Sequence, residues 1–295
     1  MSNNNFSGVI PILSTPFDEK GLISFDDLKK EIDWCIEVGV TGLGIALGSE
    51  IFTLLDSERK EILKTVVQQV NGRVPVVMNS GGEATFLALE FSKEAESLGA
   101  DALMIKPPQG ASGNNLINYF IEIAESVKLP IFMQDVIEAQ VPPLVAIKLS
   151  KLHKNLNYVK SETLPTIPRV AETNSNNTDN SLIIFGGAGG KFMLQEARRG
   201  SVGTMPFASM ADFLVEIWNE WQNQDKFAAE SKFRKYQTLI DLVAMDPGSA
   251  MWLTKDMLVR KGIFSKNNAF PRRSCNKPDE EIFLEFHRIL DELKI

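Results

Sequence analysis

The sequence predicts the α/β class, a (β/α)8 TIM barrel with a C-terminal helical extension, and three observations carry that expectation. Eight short apolar runs recur along the first 205 residues. Longer segments with helical spacing alternate with them, the arrangement that lays helices over a parallel sheet. Eight such units within about 220 residues match the count and the approximate length of a closed barrel. A doubly wound open sheet is the alternative, but no G-x-G-x-x-G fingerprint follows the first run.

The runs at 9–13, 42–47, 74–78, 102–105, 130–133, 156–159, 182–185 and 202–205 read as the strands. The segments SFDDLKKEIDWCIEVG and SERKEILKTVVQQVNG each open on a capping residue and close near glycine, as helices do. In GEATFLALEFSKEAESLG, Phe86, Leu89, Ala95 and Leu98 support one apolar face. The polar stretch 171–180 reads as a loop. Beyond the eighth unit, 227–245, 250–261 and 279–293 read as three further helices. No linker rich in proline or glycine precedes them. The chain is therefore expected to form one domain, with the barrel over residues 1–223 and the helices of 224–295 packed on it.

With 295 residues, a formal charge of −7 and a pI near 5.1, the chain lacks the basic footprint that nucleic acid or an anionic membrane requires. A small anionic substrate stays possible, because a few local donors outweigh a diffuse net charge. No apolar run approaches the roughly 18 residues of a membrane span. The start, MSNNNFSG, does not read as a secretory leader, so a cytoplasmic enzyme is expected. Cys35 and Cys275 have no metal-site or disulfide spacing, and His153 and His287 lie far apart, so no metal is expected.

Chemistry in a barrel sits at the C-terminal ends of the strands. That rule selects Ser14 and Thr15, then Gly48, Ser49 and Glu50, Asn79 and Ser80, Pro107 to Gln109, Gln134 and Asp135, Lys160 and Glu162, Gly186 and Gly187, and Pro206 and Phe207. Lys160, in NYVKSET, reads as the one lysine at a strand end with apolar residues directly before it. An amine at the tip of a buried strand costs desolvation, so it either points to water or is used. A nucleophilic lysine must be partly neutral near pH 7, and burial favours the neutral form. Glu162, two residues on, shares the face of Lys160 if the strand continues that far. Gly48 and Ser49 could offer amides and a hydroxyl to an anion, or form a plain turn before a helix capped by Ser49 or Asp56. The run GGAGGKF at residues 186–192 lacks the spacing of a nucleotide P-loop. Its glycines either permit close backbone approach to a substrate or meet a steric demand of the barrel top.

Several stretches together carry a resemblance: GVIPILSTPFDEKGLISFDDL, GLGIALGSEIFTLLDSERKEIL, GRVPVVMN, LGADALMIKPP, LPIFMQDV, NYVKSET, FGG and GSVGTM. Over nearly the whole barrel the sequence resembles the class I aldolase-like superfamily of N-acetylneuraminate lyase and dihydrodipicolinate synthase. The resemblance implies a lysine that forms a Schiff base with the C2 carbonyl of a 2-keto acid, and Lys160 matches it. It also implies a carboxylate-binding loop at Gly48 and Ser49, where the family's paired threonines are absent, no cofactor, and a homo-oligomer, tetramer or dimer.

Two departures narrow the resemblance. The family's strand-five tyrosine, in a Y-N-V-P motif, is here Gln134, and P-P-Q-G at 107–110 replaces its tyrosine pair. A glutamine orients but cannot titrate. The combination of Ser49 and Glu50, Gln134 and Asp135, Lys160 with Glu162 and Thr163, and Leu253-Thr254-Lys255 looks like the 2-keto-3-deoxy-L-arabonate dehydratases. The expected activity is dehydration or aldol cleavage of a 2-keto-3-deoxy sugar acid, with Lys160, Gln134 and Glu162 catalytic and Gly48, Ser49, Glu50, Gly186 and Gly187 binding substrate. The alternatives are 4-hydroxy-tetrahydrodipicolinate synthase or another pyruvate-dependent aldolase, and a non-catalytic keto-acid-binding protein.

Overall fold

The structure, a computed structural model, describes residues 6–295; residues 1–5, where the stretch read as lacking a leader begins, lie outside the described residues. Eight parallel strands form one sheet: β1 (Gly8–Val9), β2 (Leu43–Ile45), β3 (Val76–Asn79), β4 (Ala102–Ile105), β5 (Ile131–Asp135), β6 (Tyr158–Ser161), β7 (Ile183–Gly186) and β8 (Gly203–Thr204). From β2 to β8 consecutive strands pair with one another, and β8 pairs with β1. The remaining seam closes through a parallel bridge between Ile12 and Gly44, with Leu13 N–H donating to Gly44 O and Gly44 N–H donating to Pro11 O, both at 2.9 Å. The sheet is thus a barrel. The helices α1 (Phe25–Glu37), α2 (Asp56–Val70), α3 (Thr85–Ser97), α4 (Gly113–Ser126), α5 (Pro143–Leu152), α6 (Thr166–Asn176), α7 (Met193–Ala197) and α8 (Ala211–Gln222) alternate with the strands. Among the described residues no helix is long and apolar enough to cross a membrane.

Side-chain alternation along each strand divides the barrel into two apolar regions. Inward residues, among them Val77, Met104, Phe132, Tyr158 and Phe185, form a separate buried cluster in the lumen. Phe132 and Tyr158 stack at 4.5 Å between ring centroids, and Phe185 meets Phe132 edge-on at 5.3 Å. These rings make the floor of the barrel mouth, since Tyr158 precedes Lys160 by two residues on the same face. Outward residues such as Leu103, Ile105, Met133 and Val159 join the larger core under the helices.

The extension consists of α9 (Lys226–Val243), α10 (Pro247–Arg260) and α11 (Glu280–Leu293). Tyr236 of α9 stacks on Phe213 of α8 with centroids 4.2 Å apart. From α10, Lys255 is buried beneath the loop that follows β2.

Four local expectations change. The first run, expected as a strand over 9–13, has a regular ladder only at Gly8 and Val9, because Pro11 has no N–H to give. Residues 171–176, expected as loop, belong to α6: Val170 and Thr173 are buried, while Thr173, Ser175 and Asn176 donate to helix carbonyls one turn back. Phe86 is 69% exposed, and the buried face of α3 is Ala88, Ser92 and Ala95. Neither Ser49 nor Asp56 caps α2; the Glu58 carboxylate accepts from Leu55 N–H at 2.8 Å instead.

Candidate active site at the barrel mouth

The mouth is built from the inward row at the tips of β3, β5 and β6. Gln134 and Lys160 are direct partners in the β5–β6 register. The strand-like pairing runs one residue past β6, since Glu162 N–H donates to Asp135 O at 2.8 Å. Glu162 therefore keeps the face of Lys160, and its Oε1 lies 2.9 Å from Lys160 Nζ. Its Oε2 accepts from Gln134 Nε2 at 2.8 Å, and Gln134 Oε1 accepts from Asn79 Nδ2 at 3.4 Å. Asn79, Gln134, Glu162 and Lys160 form one connected polar chain above the aromatic floor. Lys160 is buried, and Glu162 is its single charged partner among the described residues.

The outward row of the same strand tips holds this arrangement in place. Asp135 receives Arg169 from α6 in bidentate fashion, with Nη2 at 2.7 Å from Oδ1, and its Oδ1 also accepts from Thr163 Oγ1 and Val141 N–H, each at 2.9 Å. In K-S-E-T the inner residues thus face the mouth while Thr163 anchors the loop behind it.

Gly187 and Glu162 fit each other closely. A Cβ at Gly187 would stand 2.3 Å from Glu162 Cγ, and Ala188 N–H donates to Glu162 Oε1 at 3.2 Å. Gly186 makes room on the opposite face, where a Cβ would stand 1.8 Å from Glu196 Oε2. Both glycines are sterically required, by protein side chains.

The loop after β2 is a 3-10 turn, Leu47–Ser49. Ser49 Oγ donates to Leu13 O and accepts from Ala46 N–H at 3.2 Å, so its hydroxyl is engaged inside the protein. The Ser49 and Glu50 amides close the turn on Ala46 O and Leu47 O. The Gly48 amide, in the first part of the turn, lies outside that bonding. Gly48 packs tightly, its missing Cβ lying 3.1 Å from Ile12 Cγ2. Glu50 departs from the substrate-binding expectation. It sits at φ 56°, is buried, and its carboxylate faces the extension: Lys255 Nζ at 2.5 Å on Oε1, with Arg272 and Arg273 N–H at 2.8 and 2.6 Å on Oε2.

Two residues escaped the sequence reading. Lys106 directly follows Ile105, so Lys160 is not the only strand-end lysine with apolar neighbours before it. The inward parity of Ala102 and Met104, with Pro107 keeping residue 106 extended, was the signal for it. Its Nζ lies 3.2 Å from Glu83 Oε1, and Glu83 Oε2 accepts from Gln109 N–H, so the pair ties the loops after β3 and β4 together. The second is Glu196, for which nothing in the local sequence signals burial. A cavity of about 800 Å3 lies elsewhere, between α10, α11 and the loop joining them; its His287 and Asp256 pair with each other at 2.7 Å. Among the described residues no group of three or more His, Cys, Asp or Glu side chains is placed to hold a metal ion.

The chain matches the dihydrodipicolinate synthetase family over residues 5–293. It is 36% identical over 174 residues to a 4-hydroxy-tetrahydrodipicolinate synthase of Methanocaldococcus jannaschii, a match covering 57% of this chain and 59% of that enzyme. An L-2-keto-3-deoxyarabonate dehydratase of Azospirillum brasilense is 26% identical over 300 residues, covering 97% of this chain and 95% of that one. The dihydrodipicolinate synthase of Rhodopseudomonas palustris superposes with a TM-score of 0.89 at 20% identity, over 97% of each chain, which supports the barrel fold alone. This chain belongs to the dihydrodipicolinate synthetase family.

Proposed function

We propose that this protein is a lyase in which Lys160 forms a Schiff base with the C2 carbonyl of a 2-keto acid, and that it dehydrates, or cleaves by retro-aldol reaction, a 2-keto-3-deoxy sugar acid. The observation that carries the reading is the buried Lys160 with Glu162 at 2.9 Å and the non-titrating Gln134 on the far oxygen of that carboxylate. The Lys160 amine adds to C2, and loss of water leaves an iminium that draws electrons from C3. A base then removes a C3 proton, giving an enamine. The enamine expels the C4 hydroxyl with a proton, as water, and hydrolysis of the conjugated imine returns the lysine. Glu162 is the titratable group within reach of Nζ and is assigned the proton transfers, while Gln134 fixes its orientation. No cofactor is needed, since the iminium is the electron sink.

Gly48 is assigned to the substrate carboxylate through its amide, with Ser49 shaping the turn by its two internal hydrogen bonds. Gly186 and Gly187 serve the site by admitting the carboxyl groups on either side of β7. Glu50 acts at a distance, fixing the loop after β2 to the extension. The likeness to the Azospirillum dehydratase over nearly the full length supports the sugar-acid substrate. The second reading, condensation with free pyruvate, is favoured by the Methanocaldococcus relative and opposed by Gln134 at the position of the proton-relaying tyrosine. A cytoplasmic homo-oligomer, tetramer or dimer, completes the proposal.

Intact-mass spectrometry after borohydride reduction, with pyruvate and separately with 2-keto-3-deoxy-L-arabonate, tests the reading. A reduced adduct on the native protein that Lys160→Ala lacks is the expected result. Release of the dehydrated keto acid then separates dehydratase from synthase. Absence of any adduct would overturn the lyase assignment, and adduct without turnover of any keto-deoxy acid would leave a keto-acid-binding protein.

A further inference from the structure

Behind the strand that carries Gly186 stands a second carboxyl group. Glu196, on α7, is completely buried, with Oε1 accepting from the Thr166 hydroxyl of α6 and Oε2 without a partner among the described residues. The missing side chain of Gly186 explains its position, because Oε2 fills the space a Cβ would take. Gly186 is register partner to Ser161 on β6 and Thr204 on β8, and neighbouring strands run about 4.8 Å apart. Glu196 Oε2 therefore lies in the outward row between those two side chains, whose buried hydroxyls also have no partner among the described residues. On the inner face the next residue, Gly187, admits Glu162 in the same way. Two carboxyl groups thus press on opposite faces of consecutive glycines with only backbone between them.

Resting on the Schiff-base reading of Lys160, we propose that Glu196 is a positioning residue for the Glu162–Lys160 pair, acting across the Gly186–Gly187 backbone. With its proton on, Glu196 leaves Glu162 free to pair with Lys160. Once that proton is lost to solvent, the second negative charge tightens the hold on the Lys160 proton and slows attack on the carbonyl. Burial raises the Glu196 carboxyl to about 7, against the Thr166 hydrogen bond and with a further push from Glu162. The groups around it, Thr166 from α6, Ser161 from β6, Gly186 from β7 and Thr204 from β8, are uncharged, and Glu162 is the acidic side chain that acts on it. Gly186 and Glu196 form one unit: a side chain at 186 and a carboxylate at 196 cannot coexist.

The test is the rate of borohydride-trapped pyruvate adduct formation between pH 6 and 9, in the native protein, Glu196→Gln and Thr166→Val. The ratio of the Glu196→Gln rate to the native rate is expected to be smallest at pH 6 and to rise through an inflection near pH 7, reaching several-fold at pH 8.5. Thr166→Val removes the hydrogen bond that favours the ionised acid, so the native inflection moves to higher pH. A ratio constant across the range would overturn the proposal, showing a structural role only. If Glu196→Gln does not fold, an unmoved inflection in Thr166→Val overturns it equally. A native protein that traps no adduct overturns the Schiff-base reading and this inference together, whereas adduct with a constant ratio overturns this inference alone.

Discussion

Two lysine–glutamate pairs are buried in this barrel, and they differ in how completely they are satisfied. At the junction with the extension, the Lys255 and Glu50 side chains are 1% and 0% exposed. Glu50 fills both oxygens with Lys255 and two backbone amides, and Lys255 also donates to Phe270 O at 2.8 Å and lies 4.7 Å from the Phe17 ring centroid. At the mouth, the Lys160 and Glu162 side chains are 4% and 15% exposed, and Lys160 has one charged partner among the described residues. Desolvation of a buried ion pair is offset only when the remaining lone pairs and protons are bonded. The first pair meets that condition and acts as a staple across 205 positions of sequence. The second leaves its amine with one carboxylate partner among the described residues, and the proposed Schiff-base role falls to this less fully satisfied lysine.

Substitutions break the comparison in opposite directions. Lys160→Met is expected to remove the trapped adduct entirely while leaving the denaturation midpoint close to native; an adduct persisting on this variant would sink the assignment. Glu162→Gln keeps the shape and its contact with Gln134, and steady-state kinetics should show kcat lower by about 10²- to 10⁴-fold, the usual worth of a positioned acid–base group. Lys255→Met should leave Schiff-base trapping per folded molecule intact but cost about 3–5 kcal/mol in urea unfolding, because Glu50 is left buried and unpaired. Glu50→Gln, which retains one carbonyl acceptor, should cost about 1–3 kcal/mol by the same measurement.

The smallest effect is a pH dependence of stability. Each pair has a buried carboxyl beside it. Glu31, which accepts from Ser14 N–H at 2.9 Å and lies near Lys255, is pushed up to about 8 by burial, and Glu196 to about 7. Both keep their proton in the folded state at pH values where the unfolded chain has lost it. Their stabilisation is full below the ordinary value of 4.5 and is lost as pH rises to about 8. Thermal melts from pH 4.5 to 8.5 should show the midpoint falling with a slope that Glu31→Gln and Glu196→Gln each reduce; an unchanged slope in both would show these acids ionised throughout.

The fold was legible because barrel strands announce themselves as apolar runs between turn signals, and helices by their spacing. The reading failed where one residue type serves two environments. The polar stretch after Val170 is helical because its side chains bond to helix carbonyls, a contact that composition does not encode. Phe86 is exposed although its spacing suits a buried face, since apolar spacing alone does not say which face of α3 meets the sheet. At the site, Lys160, Glu162 and Gln134 were readable from strand ends and alternation. Lys106 followed from the same alternation and was passed over.

The sequence by itself determined the barrel, the extension and the strand-end residues that meet at the mouth, because alternation and register are local properties of the chain. Only the tertiary structure decided which carboxylate serves which lysine. Glu50 and Lys255 lie on different elements, and Glu196 reaches the back of β7 because Gly186 leaves a space there. Pairing of buried charges is settled by distance and desolvation in three dimensions, and neither quantity is written in the spacing of residues along the chain.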